Sequence, residues 1–442
     1  MSYPERSAER VVEGRTVGTA VRNSQFRLLT SRRLLPLFVT QFLGALNDNL
    51  YKNALVILVA YQDTSSPRAT EILVTIAGAI FIVPYFLFSA TAGQLADRFE
   101  KHRLVRITKL WEIGVMICAA AGFALDNVPL QLAILFCLGI QATFFGPVKY
   151  GILPELLAPE ELVAGNGLIE AGTFLAILLG TIAGGLLILA PHGAVIVGAS
   201  QLAIAAAGWC ASLFVPRERA AAPSLRIDPN IARETWSILR YAYSQRALRL
   251  PLWGISWFWL IGIAYLAQFP NFAKELLGAN NEVVTLFLTL FSIGIGAGSL
   301  LCARLQRGAI NLRLVPLGAL GLALFGFDLY LASPTADAAG PLIGVLAFLR
   351  DPAHWRILVD LAVIALAGGL YCVPLYAVMQ AESAPEHRAR VIAANNIMNA
   401  LFMVAAGAVS ALLLSLGLGI GSIFLAIAVG NAVVTAWAAF KR

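Results

Sequence analysis

Charged residues are scarce in this sequence. Aspartate, glutamate, lysine and arginine make up only 13% of its 442 residues, whereas soluble domains carry about 25%. Too few charged side chains are present to cover a globule of this size in water, which argues against a soluble protein. The hydrophobic residues amount to 59% and fall in long runs, many near the roughly 20 residues with which a helix spans a bilayer.

The sequence also lacks the residue patterns of several enzyme classes. Its five cysteines lie inside apolar runs and show neither CxxC nor metal-ligand spacing, so we expect no metal, no cofactor and no nucleic-acid partner. No Walker motif is present, which argues against a transporter driven by ATP. An acyltransferase would need a histidine and an aspartate separated by four residues, but none of the four histidines has this partner. We therefore predict a protein that is not an enzyme.

Twelve apolar segments have the length of membrane-spanning helices, the form in which the backbone satisfies its own hydrogen bonds in lipid. The predicted fold class is an all-α membrane protein of about 12 transmembrane helices in two six-helix halves. The predicted spans are 34–61, 69–95, 104–124, 130–150, 164–190, 192–214, 250–272, 281–303, 311–332, 356–380, 390–416 and 418–440. A tail 1–33 precedes them, and an Arg-rich loop 215–249 separates an N-terminal half 34–214 from a C-terminal half 250–442.

The lysines and arginines are distributed unevenly between the two sides of these spans. With the N-terminus in the cytoplasm, 25 of the 32 basic residues lie in cytoplasmic tails and loops, and only four lie in outer loops. Cytoplasmic loops of membrane proteins are enriched in these residues. The distribution predicts that both termini and the loop 215–249 face the cytoplasm, which is an N-in/C-in topology.

Two parts of the sequence resemble each other at a nearly constant distance. The matched pairs are Asn166 with Asn395, Glu170 with Asn399, and Pro147 with Pro374. The first two pairs share an offset of 229 residues. A parallel repeat of two six-helix halves is the architecture of major facilitator transporters, whose substrate site lies between the halves near the bilayer midplane. The repeat therefore predicts a major facilitator fold.

The loop between the second and third spans reads GQLADRFEKHR. It resembles the signature G-x-L-A-D-R-x-G-R-R of the major facilitator superfamily, in which this loop holds the closed cytoplasmic side together through charge and helix-end contacts. The candidate gating residues are Gly93, Asp97, Arg98, Lys101 and Arg103. Glu100 replaces the second glycine of the signature, which predicts a different turn. The alternative is a solvated loop that is basic only because it faces the cytoplasm.

The first span carries the residues least compatible with lipid. A charged side chain at the bilayer centre costs roughly 2.5–3.5 kcal/mol, so it usually faces a partner or a cavity. Asp48 precedes Lys52 by one helical turn, the favourable order for an ion pair, and Gln41 shares their face of the helix. These residues form either a self-neutralising pair that only locks the helix or one wall of a polar substrate pocket.

Further polar residues extend this pocket into both halves. The candidate substrate-binding residues are Gln41, Asp48, Asn49, Lys52, Lys149, Asn166, Glu170, Gln380, Asn395 and Asn399. A head group that combines a phosphate with an amine suits such a pocket, because lysines bind phosphate and carboxylates bind amines. Lys149 lies close to the cytoplasmic end of its span, so a role in the gate is the alternative for this residue.

Four segments carry a resemblance to the lysophospholipid transporters of the major facilitator superfamily. They read QFLGALNDNLYKNALVIL, GPVKYGILPELL, LVAGNGLIEAGTFLAILLGTIAGG and VPLYAVMQ. The residues that match family positions are Asp48, Lys149, Asn166, Glu170, Gln380 and Asn395. The resemblance implies a flippase that moves lysophospholipids, chiefly lysophosphatidylethanolamine and lysophosphatidylglycerol, to the cytoplasmic leaflet of the bacterial inner membrane. The partners it implies are the lysophospholipid, membrane lipids and a cytoplasmic acyltransferase with acyl-carrier-protein ligase, fused or separate, which re-acylates the product.

The sequence departs from some members of this family in the seventh span. Those members carry an arginine where this sequence reads Ala264, Tyr265 and Leu266, so we expect Lys52 to contact the phosphate instead. Two alternatives stay open. A proton-coupled transporter of a small soluble solute would use Asp48 or Glu170 as the proton carrier, and a membrane anchor for an acyltransferase would move no lipid.

Overall fold

The computed structural model describes residues 24–61, 67–125, 127–334, 338 and 340–440. Twelve long helices make up most of this part of the chain. They are α1 Leu35–Tyr61, α2 Pro67–Arg98, α3 Lys101–Ala124, α4 Val128–Leu156, α5 Leu162–Ile188, α6 Gly193–Ser212, α7 Arg246–Asn271, α8 Asn281–Gln306, α9 Val315–Ala332, α10 Trp355–Glu382, α11 Arg388–Ser415 and α12 Ile420–Phe440. The predicted all-α fold of about twelve helices is confirmed. Of the predicted tail 1–33, residues 1–23 lie outside the described part.

Ten helices, α2 to α11, are long and apolar enough to cross a membrane. The other two are α12 and α1, and α1 holds the polar residues of the predicted pocket. Each predicted span coincides with one helix, and the largest difference is the end of α4, predicted at 150 and observed at Leu156. In the last turn of this helix, Glu155 Oε1 lies 2.6 Å from Lys101 Nζ on α3.

The packing of the helices repeats along the chain. In the N-terminal set, α1–α6, helix α1 packs on α5, α2 on α4 and α3 on α6. In the C-terminal set, α7–α12, helix α7 packs on α11, α8 on α10 and α9 on α12. The same pairs recur after six helices, which is the pattern of two parallel repeats.

Two equivalent helix pairs join the sets, namely α5 with α8 and α2 with α11. Glycine allows the backbones to approach closely at both. A Cβ at Gly167 would lie 2.6 Å from the backbone oxygen of Ser299, and a Cβ at Gly93 would lie 2.9 Å from Cα of Arg390. Small residues are typical of such interfaces between membrane helices.

The segment between α6 and α7 runs along one end of the bundle, which we call the linker side. It contains an amphipathic helix, Ile231–Ser244, that buries Ile238 and Ala242 and leaves Trp236 exposed. This helix packs against α2 and α11, one helix from each set. The segment therefore bridges the interface between the two sets at this end.

Candidate functional site

Helix α1 places two opposite charges beside α2 and α4. Asp48 and Lys52 are both half-buried, and the Lys52 ammonium lies 4.3 Å from the ring centroid of Phe81 on α2. Asp48 lies within electrostatic range of Lys52 and of Lys149 on α4. Its Oδ1 atom has no hydrogen-bond partner among the described residues, which leaves this oxygen available to a further donor.

Behind α1 lies an ion pair that the sequence analysis did not assign to the site. Lys109 Nζ and Glu112 Oε2 on α3 are 2.5 Å apart, and both side chains are fully buried. Glu112 also accepts hydrogen bonds from Asn47 on α1 and Gln141 on α4, each at 3.1 Å. The spacing of three residues on one helix is a signal that would have revealed the pair. The cluster ties α1, α3 and α4 together and so fixes the rotation of α1.

Two glycines make room for the Lys109 side chain. A Cβ at Gly44 on α1 would lie 2.7 Å from Lys109 Nζ. A Cβ at Gly208 on α6 would lie 3.0 Å from Lys109 Cε. A larger residue at either position would therefore push the ammonium group away from Glu112.

Lys149 and Glu170 continue the sequence of charges toward the linker side. Glu170 on α5 is buried, and its Oε1 atom accepts a hydrogen bond from Tyr150 Oη at 2.5 Å. Lys149 on α4 is half-buried, with its ammonium 4.5 Å from the ring centroid of Tyr150. It lies within electrostatic range of both Glu170 and Asp48. Charges of alternating sign thus follow one another from Asp48 through Lys149 to Glu170.

Asn166 and Gln380 join the two sets directly. Asn166 Nδ2 donates to Gln380 Oε1 at 2.8 Å, and Gln380 Nε2 donates to Asn166 Oδ1 at 2.9 Å. Both side chains are fully buried. In this conformation the two amides therefore form a contact between α5 and α10 rather than an open binding surface.

Two candidate residues of α1 are bonded to neighbouring helical residues. Gln41 Oε1 accepts a hydrogen bond from Thr173 Oγ1 on α5 at 3.0 Å. Asn49 Nδ2 donates to the carbonyl oxygen of Ala45, one turn earlier on α1, at 2.7 Å. These hydrogen bonds hold neither the Gln41 nor the Asn49 side chain against Asp48 or Lys52.

The candidate asparagines of α11 lie in the C-terminal set. Asn399 Oδ1 accepts a hydrogen bond from Ser256 Oγ on α7 at 2.8 Å. Asn395 is fully buried, and neither atom of its amide has a hydrogen-bond partner among the described residues. A buried amide without partners is unfavourable, so Asn395 is a candidate for contacts that form in another conformation.

The loop motif closes the linker side through Asp97. This residue at the end of α2 is fully buried. Its carboxylate accepts hydrogen bonds from the backbone N–H of Ala389 at 2.9 Å and from Arg390 Nε at 3.0 Å. Both donors belong to the first turn of α11, where the helix dipole favours negative charge.

The other motif residues differ in their surroundings. Lys101 is fully buried and pairs with Glu155 on α4, whereas Arg103 is exposed and pairs with Glu100. The Arg98 guanidinium lies 5.3 Å from the aromatic ring of the following residue. Glu100 has φ −62° and ψ 117°, an ordinary extended conformation, so the turn needs no glycine at the position where the signature has one.

An aromatic contact between the sets was not predicted from the sequence. Tyr150 on α4 stacks on Tyr376 on α10, with ring centroids 4.6 Å apart. Trp259 Nε1 on α7 donates to Tyr376 Oη at 3.1 Å. The ring of Trp259 also stacks on Phe174 of α5 at 6.4 Å. These rings form a contact between the two helix sets in addition to the hydrogen bonds between Asn166 and Gln380.

The arrangement suits a solute that carries charges of both signs. Its ammonium groups can donate to a phosphate, and its carboxylates can accept from an amine. The described residues contain no group of three histidine, cysteine, aspartate or glutamate side chains that could hold a metal ion. The lysines and carboxylates of the site can bind a solute that carries both charges.

Comparison with known proteins places these observations in a family. The profile of the Major Facilitator Superfamily matches residues 37–407. The lysophospholipid transporter LplT of Salmonella gallinarum (strain 287/91 / NCTC 13346) is 32% identical over 396 residues, which cover 88% of this chain and 87% of the relative. LplT of Salmonella newport (strain SL254) gives the same values.

Solved structures agree on the fold. The human organic anion transporter MFSD10 (TETRAN) is 16% identical with a TM-score of 0.72, covering 94% of this chain and 99% of that one. The E. coli fucose:proton symporter FucP is 14% identical with a TM-score of 0.68, covering 92% and 98%. At this level of identity the likeness concerns the arrangement of the helices alone.

Proposed function

Because the chain belongs to the Major Facilitator Superfamily, and within it to the lysophospholipid transporters, we propose that it moves lysophospholipids across the bacterial inner membrane to the leaflet that faces the cytoplasm. A lysophospholipid has one acyl chain and a charged head group. Its transfer requires a protein surface that replaces water around the head group while the acyl chain stays among apolar groups.

The observation that carries this proposal is the alternation of charges along the N-terminal set. Lys52 and Lys149 provide the ammonium groups for the phosphate. Asp48 and Glu170 provide carboxylates for an amine, and Asp48 Oδ1 has no partner among the described residues. A neutral solute such as a sugar offers no charge to these groups, whereas a head group with a phosphate and an amine can bind both the lysines and the carboxylates.

Lys52 is the phosphate ligand in this proposal, a role that an arginine on α7 would have in some relatives. The corresponding region of α7 offers Ala264 and Tyr265, which are both buried. No cationic side chain of this region can reach a phosphate. Lys52 is half-buried and held beside the ring of Phe81 by a cation–π contact, which keeps its ammonium on the side of α1 that faces α2.

The closed linker side supports movement from the outer side toward the cytoplasm. The excess of basic residues assigns this side to the cytoplasm. Contacts of Asp97 with α11 and of Asn166 with Gln380 hold it shut. In alternating access the two sets rock around a fixed site, so the head group enters from the outer side and leaves when these contacts separate. A cytoplasmic acyltransferase with acyl-carrier-protein ligase activity would then consume the product.

The test uses purified protein in liposomes with a fluorescent lysophosphatidylethanolamine in the outer leaflet. Loss of signal accessible to a membrane-impermeant quencher reports its movement. We expect the wild type to move the lipid, and Asp48→Asn to slow it about tenfold or more, the effect of one hydrogen bond to a charged group. Glu275→Gln, an exposed residue between α7 and α8, is the matched control.

Two outcomes would contradict the proposal. A folded wild type that moves no lipid with or without a proton gradient would support an anchoring role. Movement of a soluble solute that depends steeply on a proton gradient, without lipid movement, would support the proton-coupled alternative.

A further inference from the structure

Tyr150 connects a buried carboxylate with the opposite set of helices. Its hydroxyl donates to Glu170 Oε1 at 2.5 Å. Its ring lies almost parallel to that of Tyr376, with an interplanar angle of 8°. The hydrogen bond to α5 fixes the orientation of the ring, and the ring in turn contacts α10. The position of Glu170 and the contact between the sets are therefore linked through one side chain.

Tyr376 is itself fixed by the C-terminal set. Trp259 Nε1 donates to its hydroxyl at 3.1 Å, and Trp259 stacks on Phe174, which belongs to α5 again. The path from Glu170 through Tyr150, Tyr376 and Trp259 returns to the helix where it began. Separation of the two sets must break this closed path at the Tyr150–Tyr376 contact and at the Trp259–Phe174 contact.

One oxygen of Glu170 is left without a partner. Oε1 is taken by Tyr150, but Oε2 has no hydrogen bond to any described residue. The side chain is only 1% exposed, so water does not reach it freely. A buried carboxylate oxygen that lacks a donor is costly, and Lys149 offsets this only through its longer-range attraction. An ammonium group placed at Oε2 would satisfy it.

We propose that Glu170 binds the ammonium group of an amine-bearing lysophospholipid, and that this binding separates Tyr150 from Tyr376 and opens the linker side. The proposal rests on the proposed function. Glu170 is only 1% exposed while the rings of Tyr150 and Tyr376 are in contact, so an ammonium group that arrives from the outer side gains its full contact with Oε2 as the rings separate. A ligand shifts a conformational equilibrium by its difference in affinity for the two states. The amine therefore drives opening, whereas a head group with phosphate and glycerol has no cation to place there.

The first experiment compares two lipids in the liposome assay, lysophosphatidylethanolamine and lysophosphatidylglycerol. In the wild type we expect the amine-bearing lipid to move about tenfold faster, consistent with one hydrogen bond to a charged group. In Glu170→Gln the ratio of the two rates should fall to about one, because the neutral amide no longer attracts a cation. Glu275→Gln should keep the wild-type ratio.

The second experiment measures the linker side directly. Spin labels are attached at Glu160 and Glu386, exposed positions on opposite sets, after replacement of the native cysteines. Lysophosphatidylethanolamine should lengthen the distance in the wild type but not in Glu170→Gln. Tyr150→Phe keeps the stacked ring but loses the bond to Glu170, so it should lengthen the distance without lipid. Tyr330→Phe on α9, which lies outside this path, serves as the matched aromatic control.

The outcomes separate this inference from the proposed function. If the wild type moves neither lipid, the proposed function fails. If the wild type moves both lipids and Glu170→Gln leaves their ratio unchanged, only this inference is overturned. An unchanged label distance in Tyr150→Phe would likewise show that Tyr150 does not link Glu170 to the gate.

Discussion

Asp97 at the end of α2 accepts a hydrogen bond of 3.0 Å from Arg390 Nε at the start of α11, across the interface between the two helix sets. The acceptor is fully buried and the donor is mostly buried. The backbone N–H of Ala389 donates to the same carboxylate at 2.9 Å. Charge attraction and helix-end hydrogen bonding thus act together on one side chain that joins α2 to α11.

Asp97→Asn should open the linker side. The amide keeps the size of the side chain but loses the negative charge that attracts Arg390 and the N-terminus of α11. We expect a longer Glu160–Glu386 label distance without lipid and transport reduced about tenfold, since hydrogen bonds to charged groups contribute about 1.5–3 kcal/mol. Arg103→Gln, which alters an exposed member of the same motif, should change both quantities much less. Equal effects of the two substitutions would contradict the assignment.

Lys52→Gln should slow lysophospholipid transport about tenfold, because a neutral amide binds phosphate less strongly than an ammonium group. Expression and thermal stability should stay near those of the wild type, since Lys52 is half-buried and its contact is with an aromatic ring. The liposome assay measures the rate, and Lys274→Gln, at an exposed position between α7 and α8, provides the control. An unchanged rate would exclude Lys52 as the phosphate ligand.

Lys109→Met should destabilise the protein strongly. It leaves Glu112 buried without its cation, and breaking a buried ion pair typically costs about 3–5 kcal/mol. The double variant Lys109→Met with Glu112→Gln should recover much of the loss, because a neutral amide can still accept the hydrogen bond from Asn47. Thermal unfolding in detergent compares the variants. A double variant no more stable than the single one would argue against the charge as the cause.

Gln94→Ala should loosen the linker. The Gln94 side chain donates to the carbonyl oxygen of Asp228 at 3.2 Å and accepts from its backbone N–H at 2.7 Å. Loss of both bonds should speed tryptic cleavage near Arg226 several-fold. Gln245→Ala, at an exposed position beside α7, should leave the cleavage rate unchanged. Equal cleavage in both variants would show that Gln94 does not hold the linker.

The same segment should keep its protection in mildly acidic solution. Hydrogen bonds from Arg233 hold the pKa of Asp228 below its usual value of 3.8. A carboxyl group with a depressed pKa contributes stability above its unfolded pKa and loses it only as the pH falls through the folded one. When tryptic cleavage is followed as the pH falls from neutral, and corrected for trypsin's own activity, the wild type should therefore keep its protection to a lower pH than Arg233→Gln, which lacks these hydrogen bonds.

The helices and their order could be predicted from the sequence because each apolar run is long, and lipid leaves the backbone no alternative to a helix. The end of α4 at Leu156 was not predicted, and its last turn contains a contact between helices, Glu155 with Lys101 of α3, that the sequence does not report. Lys101 and Arg103 read alike in the motif, yet one is buried and the other exposed. Only the packing of α3 against α4 decides which of them faces inward.

The candidate site was predictable in part. Asp48 and Lys52 stand out because charges are rare in apolar spans. Asn49 looked like an equally good candidate in the sequence, but its side chain donates a hydrogen bond to the backbone of its own helix. Tyr150 and Tyr376 gave no signal, because aromatic residues are common in membrane helices and the 225 positions between them in the printed sequence conceal their contact. Contacts between the two sets depend on the conformation, which sequence periodicity does not report.

The buried cluster around Glu112 has a consequence for biogenesis. Helix α3 carries the fully buried pair Lys109 and Glu112 into the bilayer, and a charged side chain costs roughly 2.5–3.5 kcal/mol at the centre of a membrane. Lys109 and Glu112 can neutralise each other within α3, but one donor to Glu112 comes from α1 and the other from α4. The final environment of α3 is complete only after the ribosome has delivered α4. Helices α1 to α4 should therefore leave the insertion machinery as a group rather than one at a time.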